Sequence, residues 1–200
     1  MKRPLQVGIT GGIGSGKSLI CRIFQCLGIS VYDADSRAKS LMTTDGILIS
    51  QIRQEFGDLS YHADGSLNRK YLGERVFNNP QQLQTLNKLV HPRVGEDYRQ
   101  WVEANGRETY VIKEAALLFE AGSDKALDKI IVVCAPDDIK VSRVMKRDPH
   151  RSEADVRAII QNQMPDEEKR KQANYVIFND DSQLVIPQVL LLHQQFLSGN

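Results

Sequence analysis

The sequence predicts an α/β fold in which a parallel sheet is covered by helices and one crossover is enlarged into a helical insertion. Three observations predict it. Five short apolar runs are separated by helix-patterned segments, a glycine-rich loop joins the first run to the first helical segment, and a polar interval at 38–106 is too long for a simple crossover.

The first strand is the apolar run at 5–9, and Leu19, Ile20, Ile23, Phe24 and Leu27 then recur at helical spacing until Gly28 provides a stop. Residues 29–32, 110–112, Lys129–Cys134 and Tyr175–Phe178 read as the other four strands. Each is short and apolar enough to be buried on both faces, as in a parallel sheet. Within the insertion, "ADGSL" at 63–67 has turn chemistry and a helix is expected to stop before Pro92. The heavily charged stretch at 137–171 holds helices, one of them opened by Ser152 with Asp155 three residues on. A closing amphipathic helix is expected over 182–197.

Two hundred residues, 41% of them hydrophobic, suit one core with an inserted subdomain. With 26 basic against 25 acidic residues the net charge is +1, so the chain has no field to recruit nucleic acid or an anionic membrane, and neither is an expected partner. Any anion must be bound locally. Met1-Lys2-Arg3 resembles the charged start of a signal peptide, but the apolar run after it dissolves into glycines and no window approaches a membrane span. The expected location is the cytoplasm. Cys21, Cys26 and Cys134 show no CxxC pairing and no metal-ligand spacing with the four histidines, so they read as reduced, mostly buried thiols rather than a zinc site.

The stretch "VGITGGIGSGKSLI" carries the strongest chemical signal. Gly11, four residues, then Gly16, Lys17 and Ser18 fit GxxxxGK[ST], with a strand before and a helix after. Gly11, Gly12, Gly14 and Gly16, with Ile13 and Ser15 between them, let the backbone turn its amides toward a phosphate at the helix N-terminus. Lys17 is placed to neutralise β and γ phosphates and Ser18 to ligate Mg²⁺. The strand before and the helix after weigh against a purely structural glycine turn. A nucleoside triphosphate with Mg²⁺ is the expected ligand.

Other candidates cluster by their place in the fold. "VYDAD" puts Asp33 and Asp35 just past the second strand, at the sheet edge where ligands of open α/β folds gather. Asp33 is the candidate base or Mg²⁺-water ligand of a kinase, while Asp35 reads equally as a helix N-cap. Glu114, after the third strand, reads either as a Mg²⁺-ordering acid or as the cap of a following helix. Lys140, Arg143, Lys146, Arg147 and Arg151 are nearly cancelled by interleaved acids and read mostly as a solvated surface, with Arg147 the candidate cation to close over the γ-phosphate. His91, beside Pro92, joins two expected helices and reads as a cap, an interhelical hydrogen bond or a ligand.

Taken together, "GITGGIGSGKS", "VYDAD", "DGSLNRKYLGERVF", "HPRV", "LLFEAG" and "QMPDEEKRKQANYVIFN" resemble the dephospho-coenzyme A kinase family, in the family's order and across nearly the whole chain. The resemblance implies ATP-dependent phosphorylation of the ribose 3′-hydroxyl of dephospho-coenzyme A, a small-molecule substrate. It implies a three-layer P-loop kinase core at 1–37 and 107–200, a lid at about 137–171 within it, and a helical substrate-binding insertion at 38–106. It implies that Gly12 to Ser18 form the ATP loop, that Asp33 is the base for the 3′-hydroxyl, that Arg147 is a lid arginine on the ATP phosphates and that Asn179 contacts adenine. Arg69, Phe77 and His91 then shape the substrate site. Glu114 stands where the family commonly has aspartate, Ala116 where it has proline and Asp181 where it often has glycine.

Rival readings are a kinase of the same architecture acting on a nucleoside, nucleotide or sugar, a GTP-driven switch and a nucleic-acid-acting ATPase. The switch would want an NKxD motif after a late strand, and "NKLV" at Asn87 lacks the aspartate and lies in the insertion. Near-neutral charge disfavours the ATPase.

Overall fold

All five apolar runs become strands of one sheet in the computed structural model, which describes residues 3–77 and 79–199. The strands are β1 (Leu5–Thr10), β2 (Val31–Asp33), β3 (Tyr110–Glu114), β4 (Lys129–Cys134) and β5 (Tyr175–Phe178), in the order β2-β3-β1-β4-β5, all parallel. β1 is central, paired with β3 on one side and β4 on the other. Its Val7 and Ile9 are fully buried. The chain leaving the carboxyl end of β1 therefore emerges at the middle of the sheet edge, where the order reverses.

The second strand begins later than its apolar pattern. Ile29 is taken by the end of the first helix, α1 (Lys17–Cys26), whose stop is built as expected: Gly28 sits at φ 84° and the Ile29 N–H returns to Phe24 O at 3.1 Å. Ser30 is held from the side, its hydroxyl 3.1 Å from Asn105 Oδ1. The third strand runs on past Ile112 because Lys113 and Glu114 keep pairing with β1 and β2.

The sheet-and-loop unit comprises residues up to Asp33 together with those from Ala104 onward, and residues Ala34–Glu103 form a second compact unit. In the first unit, α1 and α9 (Val185–Ser198) cover one face of the sheet, where Ile20, Phe24, Val189 and Phe196 bury against Val7, Ile9, Tyr110, Ile112, Ile131 and Ile177. Tyr110 stands edge-on to Phe24 and Phe196 and its hydroxyl meets His193 Nδ1 at 2.6 Å, which satisfies the one polar atom of a fully buried ring. The charged stretch folds as α6 (Asp137–Arg147), α7 (Glu153–Asn162) and α8 (Asp166–Gln172), numbered after the five helices that precede them in the chain. Val141, Val144 and Val156 join α6 to α7, and Ser152 and Asp155 form the expected reciprocal cap, each accepting from the other's backbone N–H at 3.1 Å. Among the described residues no helix is long and apolar enough to cross a membrane.

The second unit is built from α2 (Ala34–Thr44), α3 (Gly46–Phe56), α4 (Arg69–Val76) and α5 (Pro80–Ala104). The turn at 63–67 forms, with Gly65 at φ 82° and Asp64 Oδ1 accepting from the Ser66 N–H at 2.9 Å. The helix stop before Pro92 does not. α5 runs through it, with Pro92 in its interior. Proline there removes one backbone hydrogen bond, a loss of about 3 kcal/mol, yet Val90, Val94, Tyr98 and Val102 recur every fourth residue and are all buried. Burying that continuous stripe outweighs the local defect.

Asp45 fastens this unit. Its carboxylate caps α3 by accepting from the Leu48 N–H at 3.0 Å and takes a 2.7 Å hydrogen bond from Arg93 Nε of α5. Burial opposes its ionisation, but the Leu48 N–H and the Arg93 guanidinium outweigh that and hold the carboxyl below the usual carboxylate range. Asp45→Ala is expected to cost about 2 kcal/mol, roughly 1 from the cap and the rest from the ion pair, with Asp45→Asn keeping the cap part. Because the folded-state pKa is lowered, this stability is present above the unfolded value near 4 and is lost as pH falls through the folded one. Urea unfolding at pH 7 and pH 3 checks it: the gap between wild type and Asp45→Ala should shrink at the lower pH.

Candidate functional site

The glycine loop leaves β1 after Thr10 and enters α1 at Lys17. Two of its glycines are required by space as well as by dihedral. Gly14 lies at φ 76°, and a Cβ there would come within 2.5 Å of the Lys140 carbonyl oxygen; Gly16 lies at φ 97°, and a Cβ there would overlap the Asn179 amide. α1 has no side-chain N-cap and no acidic residue in its first turn. The positive end of its dipole is thus left to an anion.

Lys17 folds back over this loop, its Nζ 3.0 Å from Gly11 O and 3.2 Å from Gly12 O. Ser18, one residue on, places its Oγ 3.5 Å from Glu114 Oε1. Glu114 does not cap a helix, because the chain after β3 passes through turns and then only a short 3₁₀ segment, Ser123–Ala126. Its carboxylate faces α1 instead. Burial first, then the Glu114 charge and its hydrogen bond, push the Cys21 thiol far above its ordinary pKa. Cys21 and Ser18 of α1 both address this acid, which is how a glutamate is accommodated at the strand end.

Asp33 is the last residue of β2, paired in register with Glu114, so two carboxylates stand side by side at the carboxyl edge of the sheet next to the loop. Asp33 immediately precedes α2, while Asp35 lies inside its first turn. Asp35 is therefore not the N-cap, though its charge still complements the helix dipole.

The reading of 137–151 as solvated surface fails for two residues. Lys140 is 3% exposed, its Nζ 2.6 Å from Asp166 Oδ2 and 3.1 Å from Asp137 Oδ1, and its backbone abuts Gly14. Arg143 is half-buried, donating to Asn179 O at 2.9 Å and reaching Asp181 Oδ1 at 3.4 Å. Lys140 and Arg143 flank the buried Val141 and Val144 on α6, a stripe that could have marked this face from the sequence. Arg147, the predicted cation, is the last residue of α6, largely exposed and paired with Asp148 at 2.9 Å. Of the arginines on α6, Arg143 is the one beside Gly16.

Asn179 is buried, and its side-chain nitrogen donates to Ser15 O at 2.8 Å, so it braces the loop directly. Asp181 adopts φ 66°, a left-handed conformation that aspartate tolerates better than most residues. Cys134 and Cys21 are buried and Cys26 is exposed, all three with free thiols, and burial pushes Cys134 up to about 11. Among the described residues there is no group of three or more His, Cys, Asp or Glu able to hold a metal ion.

In the helical unit, Arg69 opens α4 after an Asn68 cap whose Oδ1 accepts from the Tyr71 N–H at 3.1 Å. Arg69 and Phe77 line one shallow recess of about 380 Å³ with Lys70, Gly73 and Glu74, and the Phe77 ring is 85% exposed. His91 does not join two helices; it lies within α5, on its exposed side.

Comparison with known proteins gives concordant results. A family model described as dephospho-CoA kinase matches residues 5–184. The dephospho-CoA kinase of Chlorobaculum tepidum is 43% identical over 183 residues, 88% of this chain and 87% of that protein. A crystal structure of a Thermus thermophilus protein superposes with a TM-score of 0.85 at 33% identity over 98% of this chain and 99% of the other. The structure of dephospho-CoA kinase from Campylobacter jejuni gives 0.72 at 28% identity over 98% of each.

Proposed function

The chain belongs to the dephospho-coenzyme A kinase family, the enzymes of the final step of coenzyme A biosynthesis, and on that premise we propose how its own residues transfer phosphoryl from ATP to the ribose 3′-hydroxyl. The observation that carries the reading is the Lys17 amine held on the Gly11 and Gly12 carbonyls at the open N-terminus of α1, beside the paired strand ends of Asp33 and Glu114.

Phosphoryl transfer passes through a loose transition state, so placement and charge neutralisation dominate. The loop from Gly12 to Ser18 cradles the ATP phosphates with its amides other than those of Ile13 and Ser15, which are donated to Gln163 Oε1 and Gly12 O, and Lys17 neutralises the charge that moves. Asp33 accepts the proton of the 3′-hydroxyl. Two oxygen donors at 3.5 Å, Ser18 Oγ and Glu114 Oε1, fit a hard divalent ion completed by phosphate and water, so these two residues would hold Mg²⁺. Bound there, the ion supplies charge neutralisation at the phosphates. Arg143, braced on Asn179, flanks the loop, and Arg147 contacts the phosphates as part of a lid formed by about 137–171. Asn179 serves the nucleotide by holding Ser15 and by contacting adenine. Arg69, Phe77 and His91 bind dephospho-coenzyme A from the helical unit, and the enzyme works in the cytoplasm.

Purified protein with Mg²⁺ and ATP, assayed for ADP release with dephospho-coenzyme A against a panel of nucleosides, nucleotides and sugars, tests the reading. Release with dephospho-coenzyme A alone, and coenzyme A as product, is expected. Faster release with another acceptor would overturn the substrate, and acceptor-independent hydrolysis would overturn the transfer.

A further inference from the structure

Gln163 lies outside the loop, the strand ends and the helical unit, yet its side chain reaches the crest of the loop. Its Oε1 accepts from the Ile13 N–H at 2.8 Å. The Ile13 N–H shares its peptide group with the Gly12 C=O. In a planar trans peptide the two point in opposite directions. That same Gly12 oxygen receives Lys17 Nζ at 3.2 Å and the Ser15 N–H at 3.2 Å. One peptide plane therefore has Gln163 at one end and the Lys17 amine at the other.

The backing of Gln163 is firm. Its own N–H is tied to Ile160 O at 3.2 Å, and the next residue, Met164, donates its N–H to Glu120 Oε1 at 3.0 Å. The same Glu120 oxygen meets the fully buried Lys169 Nζ at 3.2 Å, and Asp166 is clamped to Lys140 at 2.6 Å. The loop side has more conformational latitude, because glycines at 11, 12 and 14 carry no Cβ to fix the backbone around the Gly12–Ile13 peptide. A hydrogen bond from a fixed acceptor selects one of its orientations.

We propose that Gln163 is a positioning residue that, through the Gly12–Ile13 peptide, aims the Lys17 amine at the nucleotide phosphates. The proposal rests on reading residues 11–18 as the ATP loop. It names a residue whose contribution passes through Lys17, and that gives it a distinctive signature. Gln163→Met keeps the length and removes the acceptor; Gln163→Glu keeps both, its added charge set between the Lys140 ammonium and the Asp166 carboxylate that border the same glycine.

The experiment measures the ATP dissociation constant by calorimetry, kcat, and KM for each substrate in the full chain, for both variants and for each combined with Lys17→Ala. Losing one hydrogen bond that orients a charged group is expected to weaken ATP binding and lower kcat about tenfold in Gln163→Met. The KM for dephospho-coenzyme A and the melting temperature should stay at wild-type values, and Gln163→Glu should recover most of the loss. In the Lys17→Ala background Gln163→Met should change ATP affinity less than twofold, since its target is gone. A full tenfold effect without Lys17, an equal rise in both KM values, or a Gln163→Glu variant as impaired as Gln163→Met would overturn the proposal. Wild-type protein that fails to bind ATP would overturn the loop reading itself, a distinct result.

Discussion

Lys17→Ala is expected to reduce phosphoryl transfer about 10³-fold and to weaken ATP binding at least tenfold, without unfolding the chain. The larger kinetic effect follows because the amine is preorganised where charge develops, and such groups contribute most in the transition state. Preorganisation is visible in its two carbonyl contacts, at 3.0 and 3.2 Å. Those contacts also predict the fold's tolerance. The side chain is held by the loop and contributes nothing to the apolar core, and the Gly12 carbonyl keeps the Ser15 N–H when the amine is gone. Single-turnover ADP formation and an ATP titration check the result. Unchanged ATP kinetics in this variant would remove the basis for calling residues 11–18 a phosphate loop.

Asp33→Asn is expected to keep both fold and ATP affinity while lowering kcat by about 10² to 10⁴-fold, the usual share of a general base. Asparagine is nearly isosteric and caps helices as well as aspartate, so whatever Asp33 contributes by preceding α2 is retained. What is lost is the ability to accept a proton. Measuring kcat beside the ATP dissociation constant separates the two roles. Wild-type turnover would sink the base assignment, and a fall in stability with little change in kcat would assign Asp33 to the helix instead.

The elements that proved legible in the sequence share one property: their determinants are neighbours in the chain. Lys129–Cys134 and Tyr175–Phe178 are apolar runs with no other stable use than a doubly buried strand, and both appear with those bounds. Gly28, Gly65 and the Ser152 and Asp155 pair act within a few residues of themselves, and each forms the turn or cap its chemistry suggests. Failures occurred where a local rule met a distant partner. Pro92 should end a helix, but a four-residue repeat of buried side chains carries α5 through it. Lys140 sits among alternating charges that sum to almost nothing, yet Asp166, well along the chain, takes its ammonium out of solvent.

The nucleotide site divides along the same line. A glycine-rich turn between strand and helix, with lysine and serine at its end, is a short-range device, because the amides, the amine and the hydroxyl that meet a phosphate lie within eight consecutive residues. Its reading needed no fold. Which side chains support that device is another matter, since Asn179 on Ser15, Gln163 on Ile13 and Glu114 opposite Ser18 each span about a hundred residues or more of chain. A hydrogen bond depends on angles and tenths of an ångström that composition and spacing do not encode. Only the packing of a parallel sheet, which gathers the ends of separate strands and the helices after them at one edge, brings these groups to the loop.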